Sequence, residues 1–163
     1  MSLLPNEQVE AVLAEAHRYL GVKEEPIGSN HGTCVSYWLK EAGVADGLPW
    51  CAAFVHSVGV QALGRQNWKL PATASVATLA AWGATQGNVL KTLPQRGDIF
   101  LLWEPGLVPA RFGHTGFVTQ VAQNSIETLE GNTNSGGSRE GFGVFARTRP
   151  LSPSTRYLRW AEA

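Results

Sequence analysis

The chain has 163 residues, with 13 lysines and arginines against 13 aspartates and glutamates, so its formal charge at neutral pH is zero. That balance argues against broad electrostatic capture of nucleic acid or of an anionic membrane, and the length suits one domain, residues 1–163, with a core of its own. Charged residues make up only 16% of the chain, below the usual figure of about a quarter, and eighteen glycines, nine prolines and six tryptophans suggest a loop-rich fold with aromatic walls.

Met1 to Glu7 offers neither a basic segment nor an apolar run, so no secretory signal is read there and synthesis in the cytosol is expected. Val9, Val12, Leu13, Ala16 and Leu20 recur at helical steps; Pro5 and Asn6 open this first helix and Gly21 closes it. The run Glu24 to Gly32, "EEPIGSNHG", is a loop by composition. A second helix follows, capped by Thr33, with Val35, Trp38, Leu39 and Ala42 on one face and Gly43 beyond its end. After the turn-rich "ADGLPW" a third helix runs from about Cys51 to Leu63, and a shorter fourth from about Ser75 to Trp82. No apolar run is long enough to span a bilayer.

Beyond Gly87 the pattern changes to strands. "GDIFLLW" (Gly97 to Trp103), "GHTGFVTQVA", "SIETLEGN", "VFARTRP" and "TRYLRW" carry the strand signal. "NSGGSREGFG" (Asn134 to Gly143) is a Gly/Ser loop. Helices first and antiparallel strands after define an α+β class, with the helices packed on a small curved sheet.

The chain's two cysteines, Cys34 and Cys51, are too few for a disulfide framework, and reduced thiols are expected. Cys51 opens the third helix, where free amides and the macrodipole stabilise a thiolate. A thiolate nucleophile needs a base, and the base needs an orienting group. His17 is helical and unaccompanied, His31 is in a loop, and His56 lies on the far side of the helix from Cys51. His114 opens a strand between Gly113 and Gly116. The next strand carries Glu130 and Asn132, two residues apart and so on one face. A three-residue loop at Gln123 to Ser125 puts the even-numbered positions of this hairpin on a common face, whereas a two-residue turn breaks the match. The bland alternatives are a buried small residue for Cys51, a strand-end histidine for His114 and a solvated strand face for Glu130 and Asn132. Taken jointly they are unattractive.

Other chemistry finds little support. Cys-x-x-Cys and His-Glu-x-x-His spacings are missing, and Asp46 stands without the serial acidic ligands of a calcium loop. No metal and no cofactor are expected. Arg147, Arg149, Arg156 and Arg159 read as a solvated strand face.

The segments "GLPWCAAFV", "PQRGDIFLL", "FGHTGFVTQV" and "IETLEGNTN", in that order, resemble the CHAP family of cysteine amidohydrolases and peptidases that cut peptidoglycan, relatives of the NlpC/P60 hydrolases. "GSNHGTCVSYWLKEAGV" resembles the helix before the catalytic one. The resemblance spans about residues 25–149, with residues 1–24 as an N-terminal helix packed on it. It implies a papain-like fold, Cys51 as nucleophile, His114 as general base, Glu130 as the residue orienting the base and Asn132 as a polar fourth member. Asn30, His31, Trp50 and the Asn134 to Gly143 loop are expected to line the substrate cleft. The implied substrate is wall peptide, cut after phage-type release or specialised secretion, by a monomer for which an inhibitor or immunity protein is the candidate macromolecular partner. The rivals are a cysteine amidase acting on a different amide and a silent binding module of the same fold.

Overall fold

The computed structural model describes residues 2–87, 90–133 and 141–162. Four helices come first: α1 (Pro5–His17), α2 (Thr33–Glu41), α3 (Cys51–Leu63) and α4 (Val76–Thr85). Six strands follow: β1 (Leu90–Lys91), β2 (Ile99–Glu104), β3 (Arg111–Val121), β4 (Ser125–Thr133), β5 (Gly143–Pro150) and β6 (Arg156–Leu158), with a 3-10 turn at Trp160–Glu162. They form one antiparallel sheet in the order β1-β6-β2-β3-β4-β5. The α+β class expected from the sequence is the one observed. None of the described helices is long and apolar enough to cross a membrane.

Helix α3 is the centre of the molecule. Residues 51 to 59 are all buried, as befits a stretch that is apolar or small all round. It packs against α1, α2, β3 and β4. One core joins Val12, Leu13 and Ala16 of α1, Val35, Trp38 and Leu39 of α2, and Ile99, Leu101, Phe117, Leu129 and Leu158 of the sheet. Tyr19, Trp38, Trp50 and Phe54 form an aromatic cluster beside α3, with ring centroids 5.0 to 6.4 Å apart. A second, smaller core of Phe100, Val118, Ile126 and Tyr157 belongs to the sheet itself.

Three expectations about element ends change. α1 stops at His17, and residues 18–20 continue as i→i−3 turns, so Leu20 leaves the apolar stripe and lies half exposed. At the start of α2, Gly32 and not Thr33 occupies the cap position, with φ +138°. α4 begins as expected, Ser75 Oγ accepting from the Thr78 amide, but continues three residues past Trp82 to Thr85.

The hairpin of β3 and β4 decides whether His114 and Glu130 share a face. Ala122 N–H bonds the Ser125 carbonyl, so Gln123 and Asn124 make a two-residue turn rather than the three-residue loop that the even-face match asks for. Near the turn Gln120 faces Glu127 and Val121 faces Ile126; beyond it Val118 faces Thr128 and Phe117 faces Leu129. Thr119 is the extra residue between these registers, a bulge that shifts the pairing by one. Odd faces even near the turn; even faces even beyond the bulge. The parity lost at the turn is restored before His114 is reached.

Candidate active site

Cys51 is the first residue of α3, because Trp50 leaves the helical region (φ −124°, ψ 12°) and no side chain caps the helix. Trp50 is held from three sides. Its backbone N–H donates to Asn132 Oδ1 at 2.7 Å, its indole N–H donates to Glu24 Oε1 at 2.9 Å, and its ring lies 5.4 Å from that of Trp38. The thiol one residue on is therefore fixed by a buried network. It is 3% exposed and opens onto a cleft of about 340 Å³, lined also by Leu48, Pro49, Thr73 to Ala77, and Arg111 to Gly113. The first amides of α3 have no intrahelical acceptor, and the helix field there favours negative charge.

"EGN" on β4 explains itself residue by residue. Gly131 lets α3 press onto the strand: a Cβ there would stand 2.7 Å from the Trp50 ring and 2.9 Å from Phe54. Asn132 takes φ +56°, a left-handed conformation that asparagine tolerates better than most residues, at an irregularity in the β4–β5 ladder. Its Oδ1 reaches Trp50, and its Nδ2 donates to the Gly141 carbonyl at 2.6 Å.

His114 and Glu130 are both wholly buried. The His114 Nε2 and Glu130 Oε1 atoms are 2.8 Å apart. Nδ1 has no hydrogen-bond partner of ordinary geometry, which leaves that nitrogen for the thiol. Burial is the largest influence on the imidazole and disfavours its charged form. Hydrogen bonding and charge interaction with Cys51 and Glu130 outweigh it and carry the pKa up to about 9. Burial likewise opposes ionisation of Glu130, but Arg149 and His114 together hold its carboxyl down to about 2. Arg149 grips it bidentately, Nε to Oε2 at 2.5 Å and Nη2 to Oε1 at 2.6 Å, and Thr128 Oγ1 donates to Oε2 at 2.6 Å. The Arg149 guanidinium also lies 5.7 Å over the Phe100 ring, whose centroid is 6.0 Å from that of His114.

The structure places Cys51 beside His114, close enough for its thiol to influence the imidazole, and His114 against Glu130. Asn132 belongs to the same neighbourhood but bonds the backbone ahead of Cys51 rather than the imidazole. Trp50 does not line the cleft as expected: its side chain is wholly buried, a core aromatic between Trp38 and Glu24. Asn30 and His31 gather on the loop before the cysteine instead of in the cleft beside it. Asn30 Nδ2 faces the Gly47 carbonyl at 3.5 Å, and His31 Nδ1 pairs with Asp46 Oδ2 at 2.9 Å. Of the Asn134 to Gly143 loop, residues 134–140 lie outside the described residues.

Two of the arginines expected on a solvated face are engaged with buried carboxylates. Arg149 holds Glu130, and Arg159 holds Asp98 through Nε and Nη2 at 3.0 and 2.9 Å. The signal for Arg149 lies in the β4–β5 register and not in the sequence: Phe145 pairs with Glu130 and Arg147 with Thr128, so alternate residues 145, 147 and 149 share the carboxylate's face. The cleft walls at Val44, residues 73–77 and residues 111–113 carried no such signal. Among the described residues no three His, Cys, Asp or Glu side chains stand together as a metal site, and the Asp46 carboxylate is occupied by Ser36, the Gly47 amide and His31.

A thiol at a helix start, an imidazole from the adjoining antiparallel sheet and a carboxylate behind the imidazole are arranged as in papain-like hydrolases, and the α+β fold is of that kind. More narrowly, the chain belongs to the CHAP domain family, whose model matches residues 43–132, a class of peptidoglycan amidase- and peptidase-type hydrolases. The match covers α3, α4, β1, β2, β3 and most of β4, ending at Asn132. No curated protein and no solved structure matches the chain.

Proposed function

We propose that the protein hydrolyses an amide bond of the peptidoglycan peptide through a Cys51 thiolate. One observation carries this: the thiol that opens onto the cleft shares its site with a buried imidazole whose Nδ1 has no other partner and whose Nε2 stands 2.8 Å from the buried Glu130 carboxylate. The sulfur attacks the amide carbonyl carbon, and the carbonyl electrons move onto oxygen. The Cys51 backbone amide, unpaired at the helix start, is the natural donor to that oxyanion. His114 gives its Nδ1 proton to the amine as the C–N bond breaks, leaving an acyl thioester and a neutral ring. The ring then takes a proton from water, hydroxide adds to the thioester, and the acid leaves as the thiolate returns.

In this scheme Glu130 keeps the imidazole in the orientation that presents Nδ1 to sulfur, and Asn132 fixes the Pro49–Trp50 peptide just ahead of the nucleophile. Action at the wall after phage-type release or specialised secretion fits this chemistry. The test is digestion of purified cell walls with mass spectrometry of the released muropeptides. Soluble fragments with a new amine and carboxyl terminus at one linkage are expected. Equal release by the Cys51→Ala protein would overturn the proposal.

A further inference from the structure

Among the described residues, Cys51 and Arg111 are the two ionisable side chains that line the cleft. The other wall side chains are apolar, as at Val44, Leu48, Pro49, Val76 and Phe112, or hydroxylic, as at Thr73 and Ser75. The Arg111 guanidinium spends one donor, Nη1, on the Pro109 carbonyl at 2.9 Å, and its remaining N–H groups face no carboxylate among the described residues. Glu104 is its neighbour across the β2–β3 ladder, makes no ion pair with it among the described residues and is not one of the cleft walls. Arg111 stands three residues before His114 on β3, and the ladder irregularity between them, with Glu104 facing Arg111 and Leu102 facing His114, leaves them two ladder steps apart on one face, about 7 Å along a strand that rises ~3.3 Å per residue. An extended peptide covers that span in about two residues, and the arginine side chain shortens it further.

From this placement we infer that Arg111 is a specificity residue. It selects peptides that carry a free carboxylate within one to three residues of the bond cut at Cys51. A guanidinium offers that group a planar pair of donors, and the apolar walls around it strengthen the attraction by limiting water. A peptide with the same carboxylate converted to a carboxamide loses the charge and keeps the shape.

The inference rests on Cys51 being the nucleophile of the proposed reaction, and the experiment separates the two. Labelling of Cys51 by iodoacetate, an anion, is compared with labelling by neutral iodoacetamide, read at the Cys51 peptide by mass spectrometry. The ratio of the two rates cancels changes in the thiol itself. Arg111→Gln should lower the ratio by about threefold to tenfold, and Arg111→Lys should restore most of it. A ratio unchanged in Arg111→Gln overturns the inference whether or not the protein digests wall. In parallel, walls are supplied with their peptide carboxylates free or amidated. The native protein should prefer the free form, chiefly through KM, and Arg111→Gln should lose the preference. Equal preference in both proteins overturns the inference while wall hydrolysis stands. No release from either wall by the native protein overturns the hydrolase proposal and leaves the labelling ratio to decide the role of Arg111.

Discussion

The starts of α2 and α3 differ in what faces them. Each carries a cysteine in its first turn, Cys34 as the second residue of α2 and Cys51 as the first of α3, so each thiol enjoys the same favourable helix field. Cys34 is half buried, and burial, followed by the charge of Glu25, pushes its thiol pKa up. Cys51 meets His114, with Glu130 behind the ring and Arg149 behind the carboxylate. In the proposed reaction the helix end alone does not make a nucleophile; the partner brought by the sheet does.

That contrast breaks first at the thiol and its base. Cys51→Ala or Cys51→Ser should cost at least about a thousandfold in wall hydrolysis with the circular dichroism spectrum unchanged, and His114→Ala should cost nearly as much, because members of one catalytic unit are strongly non-additive. Glu130→Gln should cost about a hundredfold and move the alkaline limb of the pH–activity profile. The sign follows from the charges. The raised value of His114 makes its ion-pair stabilisation complete below the ordinary 6.5 and lost as pH rises through about 9. Removing the carboxylate lowers that value, so activity should fail at lower pH than in the native protein. Glu130 works in the other direction: held near 2, its contribution is present above the ordinary 4.5 and is lost only as pH falls towards 2.

Arg149→Met sharpens the comparison at the third remove from sulfur. It leaves Glu130 with one cationic partner fewer, so the carboxyl should titrate at higher pH. A stability loss of about 2 kcal/mol is expected in urea titrations, with activity reduced less than in Glu130→Gln. The smallest effect is expected at the other helix. Cys34→Ala should stay within about twofold of native activity, and iodoacetamide near pH 6 should label Cys51 well before Cys34. Equal losses at the two cysteines, or faster labelling of Cys34, would remove the distinction.

How much of this was legible in the sequence depends on the reach of the signals. The bounds of α3, the place of Cys51 at its start and the strands bearing His114 and Glu130 all come from local pattern: helical period, glycine punctuation and strand parity. Arg149 was hidden because its charge suggested solvent. Only the β4–β5 register, which depends on a long connection, puts it against a buried carboxylate. Trp50 was misplaced for the opposite reason. Adjacency to the nucleophile suggested the cleft, yet consecutive residues at a helix start point in different directions, and Glu24 supplies the indole with a buried acceptor. The cleft walls come from three separate segments, and no local pattern announces their meeting.

The extra residue at Thr119 has a consequence for recombination between relatives. His114 and Glu130 meet because two departures from a regular ladder, the tight turn and the bulge, cancel. A chimaera that keeps the pairing near the turn, Gln120 facing Glu127, but takes a β3 arm without the extra residue at Thr119 is an out-of-phase splice: the side chains beyond position 119 swap sides, and the imidazole parts from its carboxylate. Length changes at the hairpin tip that keep both arms paired leave that phase intact. The loop tip is free to drift while the bulge must travel with the histidine.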